Sequence, residues 1–300
     1  MPVLLTAVLG MVGIVALVRE GEVRLAPGAV AGPSAAPPIE AAPTEPPAFP
    51  VGPVSVATEG FLSWALLDRR TNKITGSANL AAPSDTMSMV KAWLAADYLR
   101  GLGDEQPPSA RLAQLTIMIR DSDNAAAVAM YALVGGRASI LRMIKTCRLT
   151  DSEAHPTNWS NTIVSARDTA RLGDCIADGR AAGRRWTPWL LTQMRQVRGV
   201  GDFGVRHALP APESATVAVK NGWLLRDEDG LWHIACMAVA ERWSIGVLLR
   251  YPGRLGFDYG TAACEKIGAQ LLAPALSASP SATGTLAAAS ESPPLELTVP

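Results

Sequence analysis

The stretch Arg242–Tyr251, RWSIGVLLRY, reads as a β-strand: an apolar run with β-branched and aromatic residues and no helical spacing. Leu231–Ala240 before it reads as a second strand, with Arg226–Gly230 as the polar hairpin tip, and Ala215–Lys220 (ATVAVK) as a third. Far upstream, Phe61–Asp68 (FLSWALLD) reads as a buried strand, and Arg70-Thr71-Asn72-Lys73 turns it into a partner at Ile74–Leu80. Everything between has helical spacing or helix punctuation. Val90, Trp93, Leu94 and Tyr98 recur on one face before Gly101. Ser109–Ile119, Ala125–Leu133, Arg137–Cys147 and Pro188–Val197 continue the pattern, and Ser165 opens a further helix with Asp168 three residues on. A last helix, Tyr259–Leu272, closes the core. Strands at both ends with helices between predict an α+β fold. Its antiparallel β-sheet is flanked by helices, its terminal strands are paired, and an all-helical subdomain is inserted.

Composition sets the outer limits. The 27 basic residues balance 27 acidic ones, so no electrostatic footprint for nucleic acid is visible, and 48% hydrophobic content excludes wholesale disorder. Prolines crowd Ala26–Pro53 and Ala273–Pro300, which divides the chain into a hydrophobic segment (1–25), a Pro/Ala-rich linker (26–53), a folded domain (54–272) and a disordered Ser/Ala/Pro-rich tail (273–300). Pro2–Val18 is uncharged and long enough to read as a membrane anchor. A cleaved signal, ending near Ala29-Val30-Ala31, and a buried helix are the alternatives. The expected location is extracytoplasmic, anchored to a membrane or secreted.

Four cysteines lie inside the domain. They allow three connectivities, of which Cys147–Cys175 with Cys236–Cys264 is preferred because each joins neighbours in the architecture above; the plainer reading is four small buried hydrophobes. No C-x-x-C occurs and His155, His207 and His233 are scattered, so no metal site or other cofactor is expected.

Three short motifs are ambiguous singly. Ser88-Met89-Val90-Lys91 sets a hydroxyl and an amine on one face of a helix start, which suits proton transfer, although such residues are commonly a cap and a solvated charge. Ser122-Asp123-Asn124 lies between helices and is also a plausible cap. Lys220-Asn221-Gly222 ends a strand before Trp223, where a cation can hold an anionic group and a glycine permits close approach. Gly199-x-Gly201-x-x-Gly204 fits a dinucleotide fingerprint but follows a helix and leads to a Pro-rich turn, the wrong context.

Taken in order, the three motifs match S-x-x-K, S-D-N and K-T-G, and the chain over Phe61–Leu272 resembles the penicillin-recognising serine enzymes, the superfamily of class A β-lactamases and penicillin-binding proteins. RDSDNAAAVAMYALVGG resembles the family's S-D-N helix, and SARDTARL the helix after its omega loop. The resemblance implies Ser88 as nucleophile, Lys91 as its base, and Ser122 as a proton relay. It implies Asn124 as a holder of the acyl side chain, Lys220 and Asn221 as binders of the substrate carboxylate, and Gly222 as space for substrate. The backbone N–H groups of Ser88 and Trp223 become an oxyanion hole, each donor contributing about 3 kcal/mol. Its implied substrates are β-lactams or acyl-D-alanyl-D-alanine peptides of peptidoglycan.

Two departures temper this expectation. Asn221 stands where the family has Thr or Ser, and Thr150–Val164 (TDSEAHPTNWSNTIV) lacks the family's E-P-x-x-N segment. Glu153 is the one glutamate left there as a deacylation base, its plainer reading being a solvated loop acid. The expectation is a serine hydrolase with slow deacylation; the alternative is a catalytically degenerate cell-wall or partner-binding protein on the same fold.

Overall fold

A computed structural model describes residues 47–278. The hydrophobic segment, most of the linker and the end of the tail lie outside the described residues.

Phe61–Asp68 (β1) pairs with Ile74–Gly76 (β2), and Ser84–Asp85 (β3) then leads through a 3-10 turn, Met87–Val90, into the helix Lys91–Gly101 (α1). Ser109–Arg120 (α2), Asn124–Leu133 (α3) and Arg137–Cys147 (α4) follow. After a long loop come Ile163–Val164 (β4), Ala166–Ala177 (α5), Gly183–Arg195 (α6) and the short helix Ala211–Ser214 (α7). Ala218–Val219 (β5), Gly222–Leu225 (β6), Leu231–Val239 (β7) and Trp243–Pro252 (β8) complete the strands, and Phe257–Ala278 (α8) ends the described chain.

The six-stranded sheet runs β2-β1-β8-β7, with β5 and β6 both on the far edge of β7, and every pair is antiparallel. The first long strand therefore lies beside the last, with Phe61 opposite Arg250 and Asp68 opposite Trp243. Strand β8 is buried along nearly its whole length because helices cover both faces. On one face Gly246 admits α5, since a Cβ there would lie 2.6 Å from Ala166 O and from Thr169 Cβ. On the other, Tyr251 packs on α8, accepting from Gly260 N at 3.1 Å. The helical lobe is centred on α1, whose residues Lys91–Asp97 and Leu99 are buried all round by α2, α3, α4 and α6.

Both disulfides follow the preferred pairing: Cys147 at the end of α4 joins Cys175 on α5, and Cys236 on β7 joins Cys264 on α8. Gly204 of the discounted glycine motif packs on the second bridge, a Cβ there coming 3.0 Å from Cys264 Cβ, and the motif leads into 3-10 turns rather than a dinucleotide-binding helix.

Some boundaries differ from expectation. The expected tail begins as helix, because α8 continues six residues past Leu272 and tolerates Pro274. The end of the expected linker packs onto the domain: Gly52 N donates to Leu271 O at 3.0 Å and Phe49 N to Asp68 Oδ2 at 2.7 Å. Helix α6 starts at Gly183 rather than at Pro188, which lies inside it. Of ATVAVK only Ala218 and Val219 are strand, because Pro210 starts a helical turn that uses the preceding residues.

Candidate active site

The turn carrying Ser88 is clamped from two sides. Strand β3 pairs with β4, and Thr86 N donates to Thr162 O at 3.0 Å. The chain then passes through Met87 at φ 43°, a left-handed conformation seldom adopted by a non-glycine residue. Residues three apart eclipse in the 3-10 turn that follows, which sets Ser88 and Lys91 on one side. From across the sheet, β6 presses against this turn at Gly222. A Cβ there would sit 2.3 Å from Thr86 O and 2.8 Å from Ser88 N, so the position requires glycine for packing on the Ser88 backbone.

Lys91 is fully buried and its Nζ donates to Ser122 O at 2.5 Å, Asn124 Oδ1 at 2.7 Å and Ser122 Oγ at 3.3 Å. The Trp159 ring lies 5.0 Å from the same nitrogen. Burial lowers the Lys91 pKa to about 8, against a partial offset from the charge of Asp123. Ser122 reaches this position because it adopts φ 59° in the turn between α2 and α3, while Asp123 caps α3 by accepting from Ala126 N at 2.6 Å. Lys220, also fully buried, donates to Ser122 Oγ at 2.9 Å, and burial together with the Lys91 charge pushes its pKa well below the usual lysine value. A continuous chain Lys91 Nζ–Ser122 Oγ–Lys220 Nζ results, in which one hydroxyl serves two desolvated amines.

Ser88 opens into a cavity of about 340 Å³ whose walls include Asn124, Trp159 and Trp223. Because Asn124 Oδ1 accepts from Lys91, its amide nitrogen is left to donate into that cavity. Ser88 Oγ has no hydrogen bond to Lys91 here, and such contacts often tighten only when substrate binds.

Two expected site residues are elsewhere. Asn221 is buried and donates its amide to Gly201 O at 3.1 Å and Phe203 O at 2.8 Å, so it ties the loop before β5 to the strand end and is not free to hold a carboxylate. Glu153 is exposed, pairs its backbone with Ile163, and faces a different cavity from Ser88. The residues overlooked are Asn158, Trp159 and Ser160, which form the loop wall of the Ser88 cavity, with Val128 and Leu224 at its apolar side. The only signal for the loop wall was a tryptophan inside an otherwise polar, aperiodic stretch. Among the described residues no group of three His, Cys, Asp or Glu side chains is placed to hold a metal ion.

The fold has known counterparts. A β-lactamase from Chitinophaga pinensis superposes with a TM-score of 0.56 at 16% identity, over 70% of this chain and 92% of its own. One from Sphaerobacter thermophilus gives 0.58 at 16%, over 72% and 92%, and one from Streptosporangium roseum gives 0.57 at 17%, over 73% and 94%. These likenesses establish the fold. No curated protein matches the chain. The model of the β-lactamase enzyme family matches residues 110–272, a span that includes Ser122, Asn124 and Lys220 and begins after Ser88. With more than half of its length accounted for by that match, the chain belongs to the β-lactamase enzyme family.

Proposed function

We propose that this β-lactamase-like hydrolase works through an acyl-enzyme on Ser88, takes a β-lactam or an acyl-D-alanyl-D-alanine-type peptide, and deacylates slowly. The observation that carries the reading is the Lys91–Ser122–Lys220 chain beside the Ser88 cavity, together with the lack of any carboxylate among that cavity's lining residues. Neutral Lys91 takes the Ser88 hydroxyl proton as Oγ bonds to the substrate carbonyl carbon. The Ser88 and Trp223 N–H groups meet the developing oxyanion. As the C–N bond breaks, Ser122 hands a proton to the leaving nitrogen and is reprotonated from the Lys91 ammonium. An ester on Ser88 remains.

Its hydrolysis needs a base for water. The loop side next to Lys91 presents the Trp159 ring, Glu153 is in the other cavity and Asp123 is engaged as the cap of α3, which leaves the amines for this step. In this reading the enzyme acts outside the cytoplasm on a cell-envelope substrate, held there by the N-terminal hydrophobic segment. A second reading, a binding protein without turnover, draws on the engaged amide of Asn221 and on the missing Ser88–Lys91 hydrogen bond.

Intact-mass spectrometry of the full chain with a slight excess of benzylpenicillin, sampled over hours, separates these. We expect a long-lived adduct that Ser88→Ala abolishes. Rapid release of penicilloate would overturn slow deacylation, and absence of both adduct and product would favour the binding protein.

A further inference from the structure

Behind the loop that walls the Ser88 cavity lies a second cavity of about 410 Å³. Part of its lining is already neutralised: Asp85 holds Arg226, and its Oδ1 lies 2.7 Å from His233 Nδ1. Asn161 Oδ1 accepts from Arg226 and from Ser160, each at 3.1 Å, and four further polar residues line the cavity. Arg250 stacks on Phe61 at 4.5 Å, and among the described residues its buried Nε has no hydrogen-bond partner and its guanidinium no ion pair. Ser84 is 3% exposed and its hydroxyl is buried without a partner. Glu153 lines the same cavity and forms no ion pair among the described residues. His155 Nδ1 accepts from Thr157 N and Asn158 N, so the proton sits on Nε2, which is free to donate.

We propose that this cavity is a second ligand site, for a zwitterionic α-amino acid or dipeptide whose carboxylate binds Arg250 and whose ammonium binds Glu153. Both signs of charge line the cavity on side chains that form no ion pair among the described residues. A simple anion leaves Glu153 facing like charge, and a simple cation does the same for Arg250; a zwitterion satisfies both. Guanidinium is the side chain best shaped for a carboxylate, and the volume falls within the range of small-molecule sites. Glu153, His155 and Asn161 line this cavity while Asn158, Trp159 and Ser160 line the other, so one loop is the wall between them. The site rests on its own residues and not on the hydrolase reading.

Calorimetric titration of the full chain with alanine and with dialanine tests it, using acetate and ethylamine as single-charge probes. Saturable binding of the zwitterions is expected. Arg250→Gln and Glu153→Gln should each weaken it at least tenfold, and the single-charge probes should bind at least tenfold more weakly. Val128→Arg, which crowds the Ser88 cavity, should leave the affinity unchanged. Glu153 is an exposed loop residue, so its variant keeps the test decisive even if Arg250→Gln misfolds. No saturable binding at millimolar concentration overturns the proposal. So does acetate binding that is indifferent to Glu153→Gln, and so does loss of binding in Val128→Arg.

Discussion

Lys91 is a cation by chemistry and a core residue by position, and the conflict decides how it works. All three of its N–H donors are used on Ser122 and Asn124, yet burial favours the neutral amine enough to bring the pKa to about 8. Only the neutral form can accept the Ser88 proton. Below pH 8 the neutral fraction changes about tenfold per pH unit, so the acylation rate is expected to climb at that slope from pH 6 to 7.5 and level off above 8.5. Stopped-flow acylation with a chromogenic β-lactam across that range checks it, and a flat profile would remove Lys91 as the base. The same residue bears on stability. Its folded pKa is below its unfolded one, so between pH 8 and 10.5 the unfolded chain binds more protons and stability rises with pH over that window. Residue types also explain what could be read beforehand. Ser88, Lys91 and Ser122 are legible because a spacing of three and a turn between helices fix their neighbours locally. The surroundings of Asn221 and Glu153 are not legible, because the Asn221 amide is directed by Gly201 and Phe203, 20 and 18 residues away, and Glu153 is placed by a backbone pairing with Ile163.

At the scale of elements, β6 lies against the turn between β3 and α1 with no space for a side chain. Gly222→Ala must push that turn, and Ser88 with it. Since a displacement of about 1 Å at a reacting group costs on the order of 100-fold, acylation should fall by about that factor while the melting temperature changes by only a few degrees. Comparing acylation rates with thermal unfolding of the variant checks it. The other support of the same turn is ionic. Asp85 on β3 is almost buried between Arg226 and His233, contacts that hold its carboxyl below the usual range despite desolvation and hold the imidazole above it. Asp85→Asn leaves the buried Arg226 guanidinium without its carboxylate, with Asn161 Oδ1 as its remaining side-chain acceptor, while His233 keeps Asp229, and should cost about 3 kcal/mol, readable as a denaturant midpoint shift at constant slope. No such network could be read from sequence, because its members come from β3, β7 and the hairpin tip. Helix spacing and punctuation, by contrast, located α1 to α4 to within a few residues. Pro188 misled the reading of α6, where the helix tolerates a proline inside it.

Across the whole molecule, the pairing of terminal strands was predictable from order alone, because strands at both ends of a helical insertion must meet for a single sheet to form. The two bridges tie lobes and layers: one joins α4 to α5, the other β7 to α8, and each closes a loop of sequence separation 28. A loop of that size is worth roughly 3–4 kcal/mol in the chain-entropy picture. Cys147→Ala with Cys175→Ala should therefore lower the melting temperature by about 10 °C, read by calorimetry. All four cysteines are buried, so mild reductant should leave the native enzyme oxidised until it opens.

The partnership of β1 with β8 also governs how the protein is made. Phe61 and Arg250 are hydrogen-bonded neighbours roughly 190 residues apart, and translation at ~5–20 residues per second separates their emergence by about 10–40 s. Throughout that interval FLSWALLD has only the three-residue β2 to pair with, and an open apolar strand is a template for other chains. The nascent polypeptide thus carries an apolar segment without its main strand partner until the last strand of the sheet is finished.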